Sequence, residues 1–243
     1  MRQRNLDYAR QERDFYPTPA WVTEALLRRV SLPNGIWEPC CGNGAMAQVL
    51  EACGHRVVGT DLEDRGYGEA GRDFLDETQL PEGVTAIVTN PPYGRRLFEF
   101  VDHALELTHP VGGMVAMLVN AQWPYGAVNS ERLLHPAFEA SVMLRNRIVW
   151  FPGDDGRPAK SPQENHCWLV WNWSRTPGPA RVMFAGKDAA AEPEARCCIV
   201  CRTPLPSMAR ADTRLCVRRP AGNALGALAW PSAALSDDPG ASN

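Results

Sequence analysis

Short apolar runs alternate with amphipathic stretches along this chain, and the alternation predicts strands and helices in turn. Residues 84–89 (VTAIVT) form a continuous apolar run that reads as a buried strand. Earlier, Ile36 and Trp37 lead to Glu38 and then to a glycine-rich turn, Pro39-Cys40-Cys41-Gly42-Asn43-Gly44. From Ala45 to Cys53, Met46, Val49, Leu50 and Cys53 recur at helical spacing. A second strand, 55–60, ends in Asp61. Residues 97–108 predict a helix with Leu97, Phe98, Val101, Leu105 and Thr108 near one face. Gly112-Gly113 introduces a buried strand at 114–119, and 120–132 read as a loop and short helix. Residues 142–151 and 167–173 read as two further strands. Near the start, Pro19 suits the first position of a helix, Thr18 suits its N-cap, and Trp21, Val22, Ala25 and Leu26 form its apolar face. Strand, turn and helix repeating at this spacing predict a doubly wound α/β sheet with helices on both faces.

After Trp173 the character shifts. Residues 174–194 are rich in Pro, Gly and Ala, a linker composition. Cys198 and Cys201, with Cys216 downstream, have the spacing of a small zinc ribbon. A ribbon needs four ligands, and Pro220 stands where the fourth cysteine would fall. Cys197 adjoins Cys198 too closely to replace it. The expectation is therefore a degenerate ribbon, its last ligand lost by decay or frameshift, in place of an intact zinc site. The predicted organisation is a polar arm at 1–13, a domain at 14–174, a linker at 175–196, the cysteine segment at 197–220 and a disordered, irregular tail at 221–243.

The chemistry concentrates at Asn90-Pro91-Pro92-Tyr93, at the end of the first apolar run. The prolines donate no N–H and hold φ near one value, and a residue before proline is pushed to extended backbone. Asn90 Oδ1 and a neighbouring main-chain carbonyl can then converge on one spot and hold an exocyclic NH2. Tyr93 offers a face on which the ring bearing that group can stack. The glycine turn after residues 36–37 lets backbone approach a ligand closely, and the following helix start brings free N–H groups. Gly42-x-Gly44 lacks the third glycine of the dinucleotide fingerprint and is weak on its own. Asp61 follows about 20 residues after the turn, where nucleotide-binding folds put a ribose-hydroxyl acceptor. Gly71-Arg72-Asp73-Phe74 completes the order.

On these motifs, residues 14–173 resemble the class I S-adenosylmethionine-dependent methyltransferases, of the Rossmann-like doubly wound fold. Within them the chain is similar to small DNA adenine-N6 methyltransferases of phage and prophage origin. The resemblance implies S-adenosylmethionine as cofactor. It implies that Tyr16 and Thr18 of Phe15-Tyr16-Pro17-Thr18-Pro19 lie against its methionine part, with Thr18 the polar contact. It further implies Glu38 near the amino group, Gly42 and Gly44 under the sulfonium and ribose, Asp61 on the ribose hydroxyls, and Asp73 with Phe74 on the adenine edge. Asn90, Pro91, Pro92 and Tyr93 are implied as catalytic. Cys40 and Cys41 depart from the family pattern and read as small, partly buried thiols.

The chemistry then needs positioning more than proton transfer. The sulfonium already carries the difficult step. Acceptors on the NH2 orient its lone pair and stabilise the positive charge that grows on it. No strong base is required, because the proton becomes acidic only after methylation. A base within duplex DNA must be flipped out to reach such a pocket.

Length and composition fit one α/β domain with a small appendage: 243 residues, 44% hydrophobic. A net charge of −3 argues against a generally basic coat, so any DNA-facing surface is local. Arg95 and Arg96 directly follow the catalytic loop and are the candidate phosphate contacts. Arg2, Arg4, Arg10 and Arg13 could form an arm, Arg145 and Arg147 fall in a predicted strand, and Arg157 and Lys160 in a long polar loop, 152–165, read as target-recognition surface. Trp150, Trp168, Trp171 and Trp173 read as core or edge-strand residues. Eight cysteines without an export signal suggest reduced thiols or metal binding, not disulfides, and a cytoplasmic setting, and no apolar run approaches the ~18 residues of a membrane span.

Two other readings stand beside the leading one. An RNA or protein-amide N-methyltransferase uses the same tetrapeptide, but usually with a substrate domain ahead of the core, for which the polar N-terminus leaves no room. A catalytically silent nucleic-acid binder is disfavoured by the intact motif.

Overall fold

The computed structural model describes residues 15–94, 96–150 and 164–188, all within the first of two compact units, Met1–Arg196. Among them, the strands are β1 (Gly35–Glu38), β2 (Arg56–Asp61), β3 (Glu69–Ala70), β4 (Ala86–Thr89), β5 (Met114–Asn120), β6 (Phe138–Leu144), β7 (His166–Asn172) and β8 (Arg181–Ala185). The α-helices are α1 (Ala20–Leu27), α2 (Ala45–Ala52), α3 (Leu97–Thr108) and α4 (Ala127–Ser130). The strands form one sheet in the order β3-β2-β1-β4-β5-β7-β6-β8. β1 pairs in parallel with β2 and β4, and β4 with β5. β7 runs antiparallel between β5 and β6, and β8 is parallel to β6.

Successive strand residues point to opposite faces, so each central strand feeds two cores. Ile36 joins Val22, Leu26, Met46 and Leu50 under α1 and α2. Trp37 joins Phe74, Leu97, Phe100 and Val101 under α3. Burial on both faces is why most of β4 and β5 reads as unbroken apolar runs, and β1 is buried along its whole length, Glu38 included. On β7, Trp168 and Trp171 enter opposite cores, fully buried. Their indole N–H groups donate to the carbonyls of Val22 (3.0 Å) and Arg132 (2.8 Å). Truncating either indole costs about 3–5 kcal/mol.

The topology opens the site. The β1–α2 turn leads to one face of the sheet and the β4–α3 turn to the other, since their helices pack in different cores. Strand order reverses between β1 and β4, and a crevice forms at their carboxyl ends, where open α/β sheets bind ligands.

Three sequence expectations are corrected. The strand expected at 142–151 lies at Phe138–Leu144, where buried and half-buried residues alternate. Residues 145–150 leave the sheet, so Arg145 and Arg147 are not strand residues. The apolar run at 148–150 imitated a strand, but Ile148 is buried from irregular backbone. The expected linker contains β8, which extends the sheet by pairing with β6 from Ala140↔Arg181 to Leu144↔Ala185. The Pro-, Gly- and Ala-rich flanks masked that strand. Finally, Pro19 is itself the N-cap of α1, no side chain caps it, and the Thr18 hydroxyl points elsewhere. Among the described residues, no helix is long and apolar enough to cross a membrane, and no group of three or more His, Cys, Asp or Glu side chains could hold a metal. Cys198, Cys201 and Cys216, the arm, Arg95, Arg157 and Lys160 lie outside the described residues.

Candidate active site

The crevice holds a cavity of about 480 Å³, within the range of small-ligand sites. Five stretches converge on it: residues 15–18 before α1, the β1–α2 turn, the end of β2, residues 72–74, and Asn90 to Tyr93 after β4. Of the predicted site residues, Tyr16, Thr18, Glu38, Gly42, Asp61, Asp73, Phe74, Asn90, Pro91, Pro92, Tyr93 and Arg96 all line this one space.

Asn90 is bound from both ends of its amide. Nδ2 donates to the Tyr16 carbonyl at 3.3 Å and to Thr18 Oγ1 at 3.2 Å. Oδ1 accepts from the Tyr93 hydroxyl at 2.7 Å. A carbonyl oxygen has two lone pairs, so Oδ1 retains one for a further donor. The Tyr93 ring is set by other aromatics. Trp150 lies edge-on at 6.4 Å and His166 is tilted at 5.8 Å, while Trp150 also meets Tyr16 at 5.5 Å and His166 at 5.4 Å. Such edge contacts contribute about 0.5–1.5 kcal/mol each beyond burial.

The acids differ in state. Glu38 is buried, and its Oε2 has no hydrogen-bond partner. Burial pushes its carboxyl well above the usual range, only partly opposed by the Ala47 backbone N–H. Among the described residues, no cation pairs with this buried carboxyl. Asp61 is raised too, chiefly by burial, against the lowering effect of the Gly42 N–H and Arg65. Its Oδ2 accepts from Gly42 N at 2.8 Å and its Oδ1 from Glu63 N at 3.0 Å, tying the glycine turn to β2. Asp73 Oδ1 accepts from Leu75 N at 3.0 Å and caps a short 3-10 turn. Burial pushes the Cys41 thiol up to about 12, and Cys40 is raised as well, so neither is a ready nucleophile.

The two glycines divide. Gly42 (φ 53°) lines the cavity, and a Cβ there would lie 2.9 Å from the Phe15 ring. Gly44 (φ 77°) does not line it: the Tyr67 ring covers its open side, 2.4 Å from where a Cβ would stand. Gly44 thus serves the turn and its packing. Phe74 is core as much as lining, packed edge-on against Trp37 at 5.3 Å and tilted on Phe100 at 5.2 Å. Arg96 is exposed at the start of α3 and pairs with Glu99 at 3.2 Å.

Trp150 and His166 were not legible as site residues. Trp150, expected as a core or edge-strand residue, joins the aromatic group around Tyr93 from irregular backbone. His166 is 2% exposed, and burial lowers its pKa to about 4, so it is neutral near pH 7. Its position at the start of a strand after a polar loop was the one available hint.

No protein-family model matches the sequence, and no curated protein matches it. Solved structures do share the fold. The methyltransferase subunit of a type I restriction–modification system from Streptococcus thermophilus matches with a TM-score of 0.50 at 15% identity, over 66% of this chain and 45% of that one. A class I S-adenosylmethionine-dependent methyltransferase from Listeria monocytogenes gives 0.48 at 17% identity, over 72% and 64%. The M protein of the type I restriction enzyme EcoKI gives 0.44 at 14%, over 65% and 43%. The chain therefore spans less than half the length of the first of these. The fold is the Rossmann-like α/β fold of class I methyltransferases.

Proposed function

We propose that this chain transfers a methyl group from S-adenosylmethionine to the N6 amino group of adenine in DNA. The observation that carries the reading is Asn90 on the cavity wall, with its amide nitrogen committed to Tyr16 and Thr18 and Oδ1 keeping a lone pair. The residues also fit the cofactor. An ammonium group would meet the unpartnered, buried Glu38 Oε2, and ribose hydroxyls would meet Asp61. Asp73 and Phe74 border the same cavity and would take the adenine edge.

When bound, the cofactor supplies an electrophilic methyl group on sulfur. Asn90 Oδ1 and the Pro91 carbonyl accept from the substrate NH2 and turn its lone pair toward that methyl. Glu38, Asp61, Asp73 and Phe74 would hold the cofactor as its methyl passed to that nitrogen, the S–CH3 bond breaking as the N–CH3 bond formed, and the surplus proton would leave nitrogen for solvent. Growing positive charge on nitrogen strengthens both acceptor contacts, so they stabilise the transition state more than the ground state. The Tyr93 ring stacks the base after it has left the duplex. Arg96 would then meet phosphate beside the opened base, together with Arg95 next to it in sequence.

DNA is preferred because the tetrapeptide and motif order resemble DNA adenine-N6 methyltransferases of phage type. The likeness to a restriction–modification methyltransferase subunit is one of fold. The test is incubation with labelled S-adenosylmethionine and unmethylated DNA, RNA or protein, followed by nucleoside and amino-acid analysis. N6-methyladenine in DNA that disappears in Asn90→Ala is expected. Label in RNA or protein alone would move the activity to those substrates, and no label anywhere would reject the reading.

A further inference from the structure

Asn90 owes its orientation to a segment more than seventy residues earlier in the chain. The primary amide has two N–H bonds, and both are taken: one by the Tyr16 carbonyl at 3.3 Å, the other by Thr18 Oγ1 at 3.2 Å. A main-chain carbonyl can only accept. Rotating the amide by half a turn would therefore set Oδ1 against the Tyr16 carbonyl, acceptor against acceptor. The committed Nδ2 leaves Oδ1 facing the Tyr93 hydroxyl at 2.7 Å. Both Nδ2 contacts are long for N–H···O bonds, so neither alone is a strong restraint.

What makes the pair effective is the stiffness of its source. Pro17 and Pro19 each fix one φ, and Tyr16 and Thr18 each precede a proline and are held extended. Pro19 then caps α1, whose Val22 and Leu26 are fully buried, so the segment is anchored in the core. Thr18 is itself 5% exposed and provides no cap for that helix. A buried hydroxyl needs a partner, and the partner of this one is Asn90.

We propose that Tyr16-Pro17-Thr18 is a latch on the Asn90 amide: the Tyr16 carbonyl, an acceptor only, sets its flip state, and the Thr18 hydroxyl restrains it there as a positioning residue for the reaction. This rests on the role given to Asn90 above. Thr18 then acts through Asn90, and its chief effect is on turnover, where a direct contact to the cofactor would act on cofactor affinity. The sequence resemblance pointed to the second role, and the two are separable.

The test compares Thr18→Val, which keeps the shape and removes the acceptor, with Thr18→Ser, which keeps the acceptor. Three quantities are read: kcat at saturating S-adenosylmethionine, the cofactor Kd by calorimetry, and hydrogen exchange of the Asn90 side-chain amide by 15N NMR. Thr18→Val is expected to lower kcat by roughly three- to tenfold, the worth of one net hydrogen bond. It should also speed Asn90 amide exchange and leave the cofactor Kd within about twofold. Thr18→Ser should restore kcat and exchange. Weaker cofactor binding in Thr18→Val, with kcat and exchange both at wild-type values, would overturn the latch. So would unchanged kcat, Kd and exchange. Exchange is read without substrate, so if wild-type protein methylates nothing, it still decides the latch while the functional reading falls separately.

Discussion

Acidification should destabilise this protein through His166, by an amount set by its burial. His166 is 2% exposed beside Tyr93 and Trp150, and its pKa is lowered to about 4 from an ordinary 6.5. Above pH 6.5 the imidazole is neutral folded or unfolded, and the buried form costs nothing in protonation. As pH falls below 6.5 the unfolded chain takes up a proton that the native state refuses. Stability is then lost progressively until the pH reaches about 4. The fall from 6.5 to about 4, at about 1.36 kcal/mol for each tenfold change in proton affinity, amounts to about 3 kcal/mol. Glu38 and Asp61 work in the opposite sense, since their raised values favour the native state at low pH. The wild-type profile alone therefore mixes signs.

His166→Phe resolves this. It keeps a planar aromatic ring at the position, cannot titrate, and leaves both acids in place. Urea unfolding of both proteins, from about pH 7 to about pH 4, gives the difference in stability at each pH. Wild type should lose about 3 kcal/mol relative to the variant across that window, whatever fixed offset the substitution brings. A difference that stays constant with pH would refute the reasoning, and would mean that His166 is hydrated or paired in the native state.

Two further expectations follow from the site. Burial raises the Glu38 carboxyl above its usual range, and a cation beside it favours the ionised form, so at a pH where Glu38 is protonated, binding of the proposed cofactor's ammonium should release that proton. The calorimetric heat should then vary with buffer protonation enthalpy, and Glu38→Gln should abolish the variation; equal heats in all buffers for wild type would refute it. Gly44→Ala should cost about 1–3 kcal/mol or more, because φ is 77° and a Cβ would strike the Tyr67 ring. In a Tyr67→Ala background the same change should cost only the φ penalty, about 1–2 kcal/mol. Equal costs in both backgrounds by thermal or urea unfolding would reject the contact.

The central strands and helices were legible because each is buried in a way that stamps its period on the sequence. β4 and β5 are apolar up to their last residues, Thr89 and Asn120, and α3 spans Leu97–Thr108 as its spacing predicts. The sheet's far edge was not. β6 alternates over only a few residues beside an apolar run that packs without being a strand, and β8 lies among prolines and glycines.

Within the site the division is similar. Sequence alone determined which residues stand at the ends of β1, β2 and β4, because motifs carried on strand ends keep a fixed spacing. Only the folded chain decided what those residues touch. Gly44 faces Tyr67, Thr18 faces Asn90, and Trp150 and His166 close around Tyr93. These contacts join positions far apart in the chain. They depend on the sheet order and on the side from which each loop leaves it, and a local pattern of residue types does not encode either.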